Sequence, residues 1–540
     1  MQAATRLLRR VDVFLHHYWG LLALLCFLLI LRLPNLCEPY WYGDEGIYLT
    51  LGNAMRYGER LYAEIIDHKT PLIYYLAMTP TQLGFRVLLI GWMIVSTIAF
   101  FILSKRLFSR SWLTYLSTFL FIVLTSLPTL EGNIPNGELF VMGFVLVGAV
   151  FLSQTRFFAY FMEKWRDRPP RHSHRAEMVY LAVAGMFFSL GILTKVPALF
   201  DVMAFLSLGW FRLTRSLETL DFRRWRTIRK ELILVKDVTG HELLIFIGIV
   251  IPIILSIVYF VLRGSGQAYL DYGLLYNFRY AGSWNLPFTQ PWLLWSFSLM
   301  GKAFIMAATI LVITFCRRWL KPQFQFIATW SILALFASLL SNRPYPHYFL
   351  QVVPPFVLLL SAWLDTVIQP VKNWTVSKIL PVLMATLITG LIFGLTVSAG
   401  LLLEFGAYPT ISYYSRWVGL VTGRLSRDEY RESFNHLMKD NYMAADMIKD
   451  SGSPYLFIWG TNPMLYALSG TMPTGRFTVS FHIKDFQAYE ETMQSVLDKE
   501  PPFIVVMKDE HTPLPGLDNY LSEHYIPNSN FQYFVLWMRR

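Results

Sequence analysis

Eleven long stretches of mainly apolar residues constrain this chain more than any other feature of its sequence. A helix needs about 20 predominantly apolar residues to cross the hydrocarbon core of a bilayer. The pattern therefore predicts a polytopic α-helical membrane protein with about eleven transmembrane helices. The predicted spans lie near residues 17–33, 86–104, 112–129, 137–155, 178–194, 196–213, 243–262, 291–315, 324–341, 349–367 and 378–403.

The composition agrees with a membrane protein and argues against two other classes. The 540 residues are 54% hydrophobic and 15% charged, whereas a soluble domain carries about 25% charged residues. The net charge of +11 would suggest nucleic-acid binding in a soluble protein, but here the basic residues lie in short loops between apolar stretches. No nucleic-acid partner is therefore expected. Cys26, Cys37 and Cys316 predict no structural disulfide.

The distribution of lysine and arginine predicts the orientation in the membrane, because these residues concentrate in cytoplasmic loops. The basic loops hold Arg6, Arg9 and Arg10, and then residues 105–110, 156–175, 212–236, 317–321 and 372–378. The alternate loops are poor in such residues, and 129–138 has none. Residues 1–33 lack a small-residue cleavage site and predict an uncleaved first helix. A cytoplasmic N-terminus and eleven crossings place the C-terminus outside the cell membrane.

Residues 405–540 differ from the rest and predict a second, extracytoplasmic domain after a transmembrane module of residues 1–404. Charged residues become more frequent and apolar stretches shorten. We predict strands at 455–459, 477–481, 503–507 and 532–537, with helices near 428–450, 462–469 and 485–498. This small α/β domain shows no Gly-rich phosphate loop and no metal-ligand cluster in its sequence. Its expected role is a structural or acceptor-docking cap.

The first predicted external loop, residues 34–85, is long for a connector, and such loops usually have a function or are disordered. Its sequence predicts two helices along the membrane surface. Asp44 and Glu45 occupy the first turn of the earlier helix, where the helix dipole favours negative charge. An acidic pair that only caps a helix is one interpretation. A functional pair is the other, since adjacent carboxylates beside an apolar membrane surface are costly unless they are used.

The segment Asp67-His68-Lys69 lies between these two predicted helices and extends the functional interpretation. A carboxylate can take a proton from an acceptor hydroxyl, and a nearby lysine can neutralise a phosphate leaving group. Transfer of a sugar from a lipid phosphate needs these two functions. Because the phosphate leaves as a stable anion, no general acid is required. The loop therefore predicts sugar transfer at the membrane surface.

Three groups of short motifs resemble one family of membrane enzymes. The first loop contains Gly-Asp-Glu-Gly-Ile-Tyr (43–48), Tyr-Gly-Glu-Arg-Leu-Tyr (57–62) and Asp-His-Lys-Thr-Pro-Leu (67–72). Asn-Arg-Pro-Tyr-Pro-His-Tyr-Phe (342–349) opens the tenth span, and Ile-Trp-Gly (458–460) lies in the C-terminal domain. In this order they are similar to glycosyltransferases with the GT-C fold, in the family 39 branch of protein O-mannosyltransferases and aminoarabinose lipid A transferases.

The resemblance implies roles for individual residues. Asp44 matches the general base of an inverting displacement, Glu45 its supporting neighbour, and Lys69 the basic residue near the donor phosphate. The family has a second acidic position in the loop after the third helix. Glu131 and Glu138 are both candidates, and Glu138 is slightly favoured. In some relatives these carboxylates hold a divalent ion. Two possibilities stay open: Asp44 and Glu138 hold a Mg, Mn, Ca or Zn ion, or the site has no cofactor.

Further candidates come from residues near the predicted external helix ends, and each has a structural alternative. Lys195, Arg343, His347 and Tyr348 are candidates for the donor phosphate. An aromatic belt, an interfacial anchor or a side chain reaching to lipid headgroups would explain them equally. Asp67, His68, Tyr276 and Arg279 are candidates for contacts with substrate. The last two belong to the segment 276–280, which would line an acceptor groove or simply pack within its loop.

The sequence thus predicts a lipid-phosphate-sugar-dependent hexosyl- or pentosyltransferase in the cell membrane. Its expected partners are membrane lipid, a polyprenyl-phosphate sugar donor and a protein, lipid or glycan acceptor. A flippase or transporter of lipid-linked sugars is an alternative, as is a polymerase or ligase of surface polysaccharide. A transporter should place its charged residues near the bilayer midplane, whereas here most lie near the predicted external face.

Overall fold

The computed structural model describes residues 18–162, 173–216, 225–282, 284–368 and 376–540. Several of the basic residues that predict the orientation lie outside the described residues: Arg6, Arg9, Arg10, Lys164, Arg166, Arg168, Arg171, Arg223, Arg224 and Lys372. The cytoplasmic N-terminus and the extracytoplasmic C-terminal domain therefore stay predictions.

Each of the eleven predicted spans is largely helical. The main helices are Tyr18–Leu36, Gln82–Leu107, Ser111–Ser126, Gly137–Leu152, His174–Thr194, Ala198–Ser216, Trp225–Leu262, Leu299–Phe315, Pro322–Ser338, Val353–Val367 and Val376–Leu402. Within the described residues, seven helices are long and apolar enough to cross a membrane, and Ser111–Ser126 and Gly137–Leu152 are apolar but shorter. The polytopic helical fold is confirmed, and the number of eleven crossings stays a prediction.

The helix Pro322–Ser338 lies at the centre of the bundle, since all of its residues after Pro322 are buried. It packs against Ala198–Ser216 and Val353–Val367. One buried carboxylate joins these elements: the Asp201 side chain accepts hydrogen bonds from Trp330 Nε1 at 2.7 Å and Gln351 Nε2 at 2.5 Å. A buried carboxylate with hydrogen-bond donors at both oxygens avoids much of the cost of burial.

Residues 34–85 form the two predicted helices, Gly43–Arg56 and the much shorter Leu72–Leu76, and their position along the membrane surface stays a prediction. Two glycines let the first helix approach its neighbours closely. A Cβ atom at Gly52 would lie 2.3 Å from the backbone oxygen of Ala77, and one at Gly46 would lie 2.8 Å from the backbone nitrogen of Met464. The helix that carries Asp44 is thereby held between the second loop helix and the C-terminal domain.

The C-terminal domain contains a five-stranded sheet with strand order β2-β1-β3-β5-β4. The strands are β1 Tyr455–Trp459, β2 Met472–Pro473, β3 Phe503–Met507, β4 Tyr525–Asn530 and β5 Phe534–Arg539. β1 is parallel to β2 and β3, while β5 is antiparallel to β3 and β4. Its helices are Thr410–Val421, Arg427–Glu432, Met438–Asp450, Pro463–Ser469, Ser480–Phe486, Tyr489–Lys499 and Leu517–His524. The α/β prediction is confirmed, and the boundary at residue 404 stays a prediction.

The strand predicted at 477–481 is wrong. Phe477 makes one isolated bridge to Ile66 of the first loop, and the chain then turns into the helix Ser480–Phe486. Phe477 is buried against Ile66 of the loop and the domain core rather than in the sheet. β4 was missed because four of its six residues are exposed, so it lacks an alternating apolar pattern. β1 and β3 have the predicted bounds.

Candidate active site

A cavity of about 800 Å³ opens between the first loop and the C-terminal domain. It collects residues from the loop, from segments next to three helical spans and from the domain itself. Its lining comprises Tyr42, Gly43, Asp44, Ile47, Asp67, His68, Lys69, Glu131, Tyr280, Trp284, Asn285, Arg343, Tyr345, His347, Tyr348, Thr461, Pro463, Phe481 and Asp485. We call this space the polar cavity.

Lys69 lies in the wall of the polar cavity between two carboxylates. Its Nζ is 3.4 Å from Asp44 Oδ2 and 3.6 Å from Asp67 Oδ2, and its side chain is 7% exposed. Burial disfavours the charged ammonium, but the two carboxylates outweigh burial and raise the pKa of Lys69 above its ordinary value. A lysine held in this way stays cationic at neutral pH.

Asp44 is the more accessible of the two carboxylates. It lies in the first turn of Gly43–Arg56, where the helix dipole favours its charge. Tyr48 donates a hydrogen bond to Asp44 Oδ2 at 3.1 Å, and the Asp44 side chain is 31% exposed. Burial opposes ionisation, yet the charge of Lys69 lowers the pKa of Asp44 below its ordinary value. The group is therefore an anion that can accept a hydrogen bond from a bound hydroxyl.

Asp67 is fully buried and has its hydrogen-bonding positions occupied. Tyr74 Oη donates to Oδ2 at 2.6 Å, and His68 Nδ1 lies 3.0 Å from Oδ1. Although burial opposes ionisation, the charge of Lys69 and the contacts with His68 hold the pKa of Asp67 well below its ordinary value. Asp67 thus orients Lys69 and has less freedom than Asp44 to receive a substrate group.

A third residue, His482 of the C-terminal domain, approaches Asp67 and His68. Its Nε2 lies 3.5 Å from Asp67 Oδ1 and 3.3 Å from His68 Nδ1. Among the described residues, this is the one group of three in which metal-ligating atoms all lie within 4.8 Å of one another. Imidazole and carboxylate ligands of this kind suit a zinc ion. Nothing in the sequence distinguishes His482, because it reaches the site only through the packing of the domain on the loop.

Glu45 faces away from the polar cavity, in contrast to its expected place beside Asp44. Arg86 donates to it from Nη2 at 2.6 Å and from Nε at 2.8 Å, and both side chains are buried. Gln82 donates a further hydrogen bond at 2.9 Å. Successive residues of a helix point in directions about 100° apart. Glu45 therefore anchors the loop helix on Gln82–Leu107 and does not share the catalytic position predicted for the pair.

Both candidates for the second acidic residue lie near the site, but in different surroundings. Glu131 lines the polar cavity, where its Oε2 accepts a hydrogen bond from Tyr42 at 2.7 Å and lies 2.5 Å from His347 Nδ1. Glu138 forms an ion pair with Lys195. Since Asp44 and Glu138 each have a lysine partner, their charges are already compensated. A divalent ion on Asp44 and Glu138 would compete with these lysines, and that site stays a prediction.

A second cavity of about 330 Å³ adjoins the first and is mainly apolar. It shares His68, Lys69, Tyr280 and Tyr348 with the polar cavity, and we call it the apolar cavity. Glu138 and Lys195 supply its charges, and the Lys195 ammonium lies 4.3 Å from the centre of the Tyr348 ring. Its apolar lining includes Leu199, Phe200, Phe278, Leu299 and Phe336. Lys69 thus lies where a polar space meets an apolar one.

Two solved structures are similar to this arrangement of helices and domain. One is ArnT from Cupriavidus metallidurans bound to undecaprenyl phosphate, with a TM-score of 0.52 and 14% identity over 96% of this chain and 98% of that one. The same protein in the apo state has a TM-score of 0.50 and 13% identity over 96% and 97%. This chain has the fold of ArnT. The GT-C fold predicted from the motifs is thereby confirmed. No family model and no curated protein matches the sequence.

Within this ArnT-like fold, only some residues of the predicted groove segment 276–280 line the cavities. Arg279 is exposed and lines neither cavity, and Tyr276 lies behind the wall, where its hydroxyl donates to Asp485 Oδ2 at 2.5 Å. Tyr280 and Trp284 line the polar cavity instead. The short helix Tyr276–Ala281 explains the difference, since Tyr280 lies one turn after Tyr276 on the same face, whereas Arg279 points elsewhere.

Arg343 also lines the polar cavity and joins this aromatic group. Its guanidinium lies 4.1 Å from the centre of the Tyr280 ring and 5.0 Å from that of Trp284. Tyr280 in turn stacks on His68 with ring centres 4.3 Å apart. A continuous stack of His68, Tyr280, Arg343 and Trp284 therefore leads from beside Lys69 toward the cavity mouth.

Proposed function

We propose that this chain transfers a sugar from a polyprenyl-phosphate-linked donor to an acceptor hydroxyl at the membrane surface. The observation that carries the proposal is the position of Lys69. Its ammonium lies at the junction of the polar and apolar cavities, 3.4 Å from an accessible carboxylate oxygen of Asp44. A lipid phosphate needs a cation at the boundary between apolar and polar surroundings, and an acceptor hydroxyl needs a base beside the same point.

The bound lipid phosphate of a solved structure with this fold supports the choice of donor. The lipid would occupy the apolar cavity, with its phosphate between Lys69 and Lys195. Lys195 is paired with Glu138, so the local charge near the phosphate is balanced before the donor binds. His347 and Tyr348 line the same region and would donate hydrogen bonds to phosphate or sugar oxygens.

In the chemical step, Asp44 accepts the proton of the acceptor hydroxyl while the hydroxyl oxygen attacks the anomeric carbon. A new carbon–oxygen bond forms as the bond from the anomeric carbon to the phosphate oxygen breaks. The electron pair of that bond stays with the phosphate, whose charge Lys69 offsets. Attack from the face opposite to the phosphate inverts the anomeric configuration. Asp44 then returns its proton to water.

The proposed step uses only side chains of this chain, because a carboxylate base and an ammonium beside the leaving group supply both functions. The sugar is a hexose or pentose. The reaction would take place on the membrane face that carries the C-terminal domain, which is the extracytoplasmic face of the cell membrane if the predicted orientation holds.

Radiolabelled polyprenyl-phosphate sugars incubated with the purified protein and with acceptor membranes test this proposal. We expect label to move to an acceptor with wild type, and not with Asp44→Asn. Asp428→Asn is a matched control, since the Asp428 side chain is 81% exposed. In the described part of the chain, its one ion-pair partner is Arg431 on the protein surface. A lipid-linked sugar that merely crosses the bilayer, equally with wild type and Asp44→Asn, would instead indicate a flippase.

A further inference from the structure

Three aromatic side chains form the mouth of the polar cavity and remain partly exposed. Trp284, Tyr345 and Phe481 are 38%, 39% and 37% exposed, and all three line the cavity. They come from separate parts of the chain: the loop after Tyr276–Ala281, the segment before the tenth span, and the helix Ser480–Phe486. We call them the mouth aromatics. Exposed aromatic surface concentrated around a polar opening indicates a binding surface.

Each of the mouth aromatics rests on a residue that belongs to the site. Trp284 packs on the guanidinium of Arg343 at 5.0 Å. Tyr345 stacks on His347 with ring centres 5.6 Å apart and planes inclined by 13°. Phe481 contacts His482 edge to face at 4.4 Å. Rings supported in this way lose little conformational freedom when a ligand covers their outer surface.

The charge of the polar cavity restricts what these rings can bind. Its described lining holds four carboxylates and two permanent cations: Asp44, Asp67, Glu131 and Asp485 against Lys69 and Arg343. Lys195 lies in the apolar cavity instead. An excess of negative charge disfavours an anionic ligand, such as a phosphorylated lipid or an acidic peptide. Carboxylates are acceptors that pair well with hydroxyl donors.

We propose that the mouth of the polar cavity is an acceptor subsite for a neutral saccharide. The apolar C–H face of a sugar ring lies against the mouth aromatics, and its hydroxyl groups donate hydrogen bonds to the carboxylates within. The acceptor is then a glycan rather than a protein or an anionic lipid. This inference rests on the proposed function for the identity of the transferred group, but the binding of the saccharide requires neither donor nor catalysis.

Saturation-transfer NMR on the full-length protein in detergent tests the inference directly. The probes are short neutral gluco- and manno-oligosaccharides, a phosphorylated lipid A and a Ser/Thr-rich peptide. We expect the oligosaccharides to bind through their ring C–H protons. Trp284→Ala and Phe481→Ala should each weaken binding about tenfold, as expected for the loss of one aromatic contact. The conservative changes Trp284→Phe and Phe481→Tyr should retain most of the affinity.

Tyr57→Ala is the matched control, because Tyr57 is 69% exposed and lines neither cavity. It should bind oligosaccharide as wild type does.

The inference is overturned if no neutral oligosaccharide binds, if the alanine variants bind as well as wild type, or if lipid A or the peptide binds in preference. Its failure is distinguishable from failure of the proposed function. If oligosaccharide binding depends on the mouth aromatics but no sugar is transferred, only the proposed function is refuted. If sugar is transferred to peptide or lipid A and these variants do not change that transfer, only the acceptor subsite is refuted.

Discussion

The ammonium of Lys69 lies 3.4 Å from the carboxylate of Asp44, although Asp44 is in the first turn of a helix and Lys69 lies between that helix and the next. The second carboxylate, Asp67, holds Lys69 from the other side at 3.6 Å. This relationship gives the loop one accessible anion and one fixed cation at the junction of two cavities. The following predictions test what each group contributes.

Replacement of Lys69 by methionine should lower the turnover number by about 10²–10³-fold, in the range reported for removal of one charge-stabilising group. The reason is that the negative charge developing on the phosphate loses its nearest cation. Turnover with a radiolabelled polyprenyl-phosphate sugar measures the effect. Lys484→Met provides a control, since Lys484 pairs with Glu510 and lines neither cavity. Equal turnover in Lys69→Met and wild type would contradict the proposed role.

The pH dependence of the reaction should respond to Lys69 in a defined direction. Burial opposes ionisation of Asp44, but the charge of Lys69 lowers the pKa of Asp44 below its ordinary value, so wild type keeps its base ionised further into the acid range. Without Lys69, burial raises the pKa of Asp44, and the acidic fall in kcat/KM should begin at a higher pH. The residual activity of Lys69→Met across the acid range measures this shift. An unchanged acidic limb would mean that another group is the base.

The buried pair of Glu45 and Arg86 should contribute to stability rather than to chemistry. Glu45→Gln leaves the Arg86 charge without its closest partner, and loss of one member of a buried pair costs about 3–5 kcal/mol. Denaturation in mixed micelles measures the free energy of unfolding. Glu64→Gln in the exposed pair Arg60–Glu64 is the control. It should lower the free energy of unfolding by under about 1 kcal/mol. A stable Glu45→Gln protein that has lost turnover would show that Glu45 acts in catalysis after all.

Zinc should stabilise the contact between the first loop and the C-terminal domain. Asp67, His68 and His482 bring their ligand atoms within 4.8 Å of one another, and a ligand that binds only the folded state raises its stability. After chelator treatment, added Zn²⁺ should raise the midpoint of thermal unfolding of wild type but not of His482→Gln. His524→Gln is the control, since His524 is 54% exposed at the protein surface. A rise of equal size in His482→Gln would place the ion elsewhere.

Sequence reasoning found the helical spans and the residues of the first loop, but it did not distinguish between neighbours. The family resemblance named Asp44 as the base and Glu45 as its supporting neighbour, but the residues by themselves could not separate the two, because that choice depends on which side of a helix faces Arg86. It favoured Glu138 over Glu131, whereas the structure gives each a different cavity. It included Tyr280 in the predicted groove segment 276–280 but missed His482 and Trp284, since nothing near these two in the chain indicates that they reach the site.

The amino-acid sequence by itself determined that the chain is a bundle of apolar helices with an α/β domain at its end, because the length of an apolar stretch and its periodicity are local properties. It also determined that the first loop carries an acidic group and a basic group. Only the tertiary structure decided which carboxylate meets Lys69, which one is neutralised by Arg86, and which aromatic rings surround the opening. Those outcomes depend on contacts between segments distant in the chain, and close packing at Gly46 and Gly52 brings such segments together.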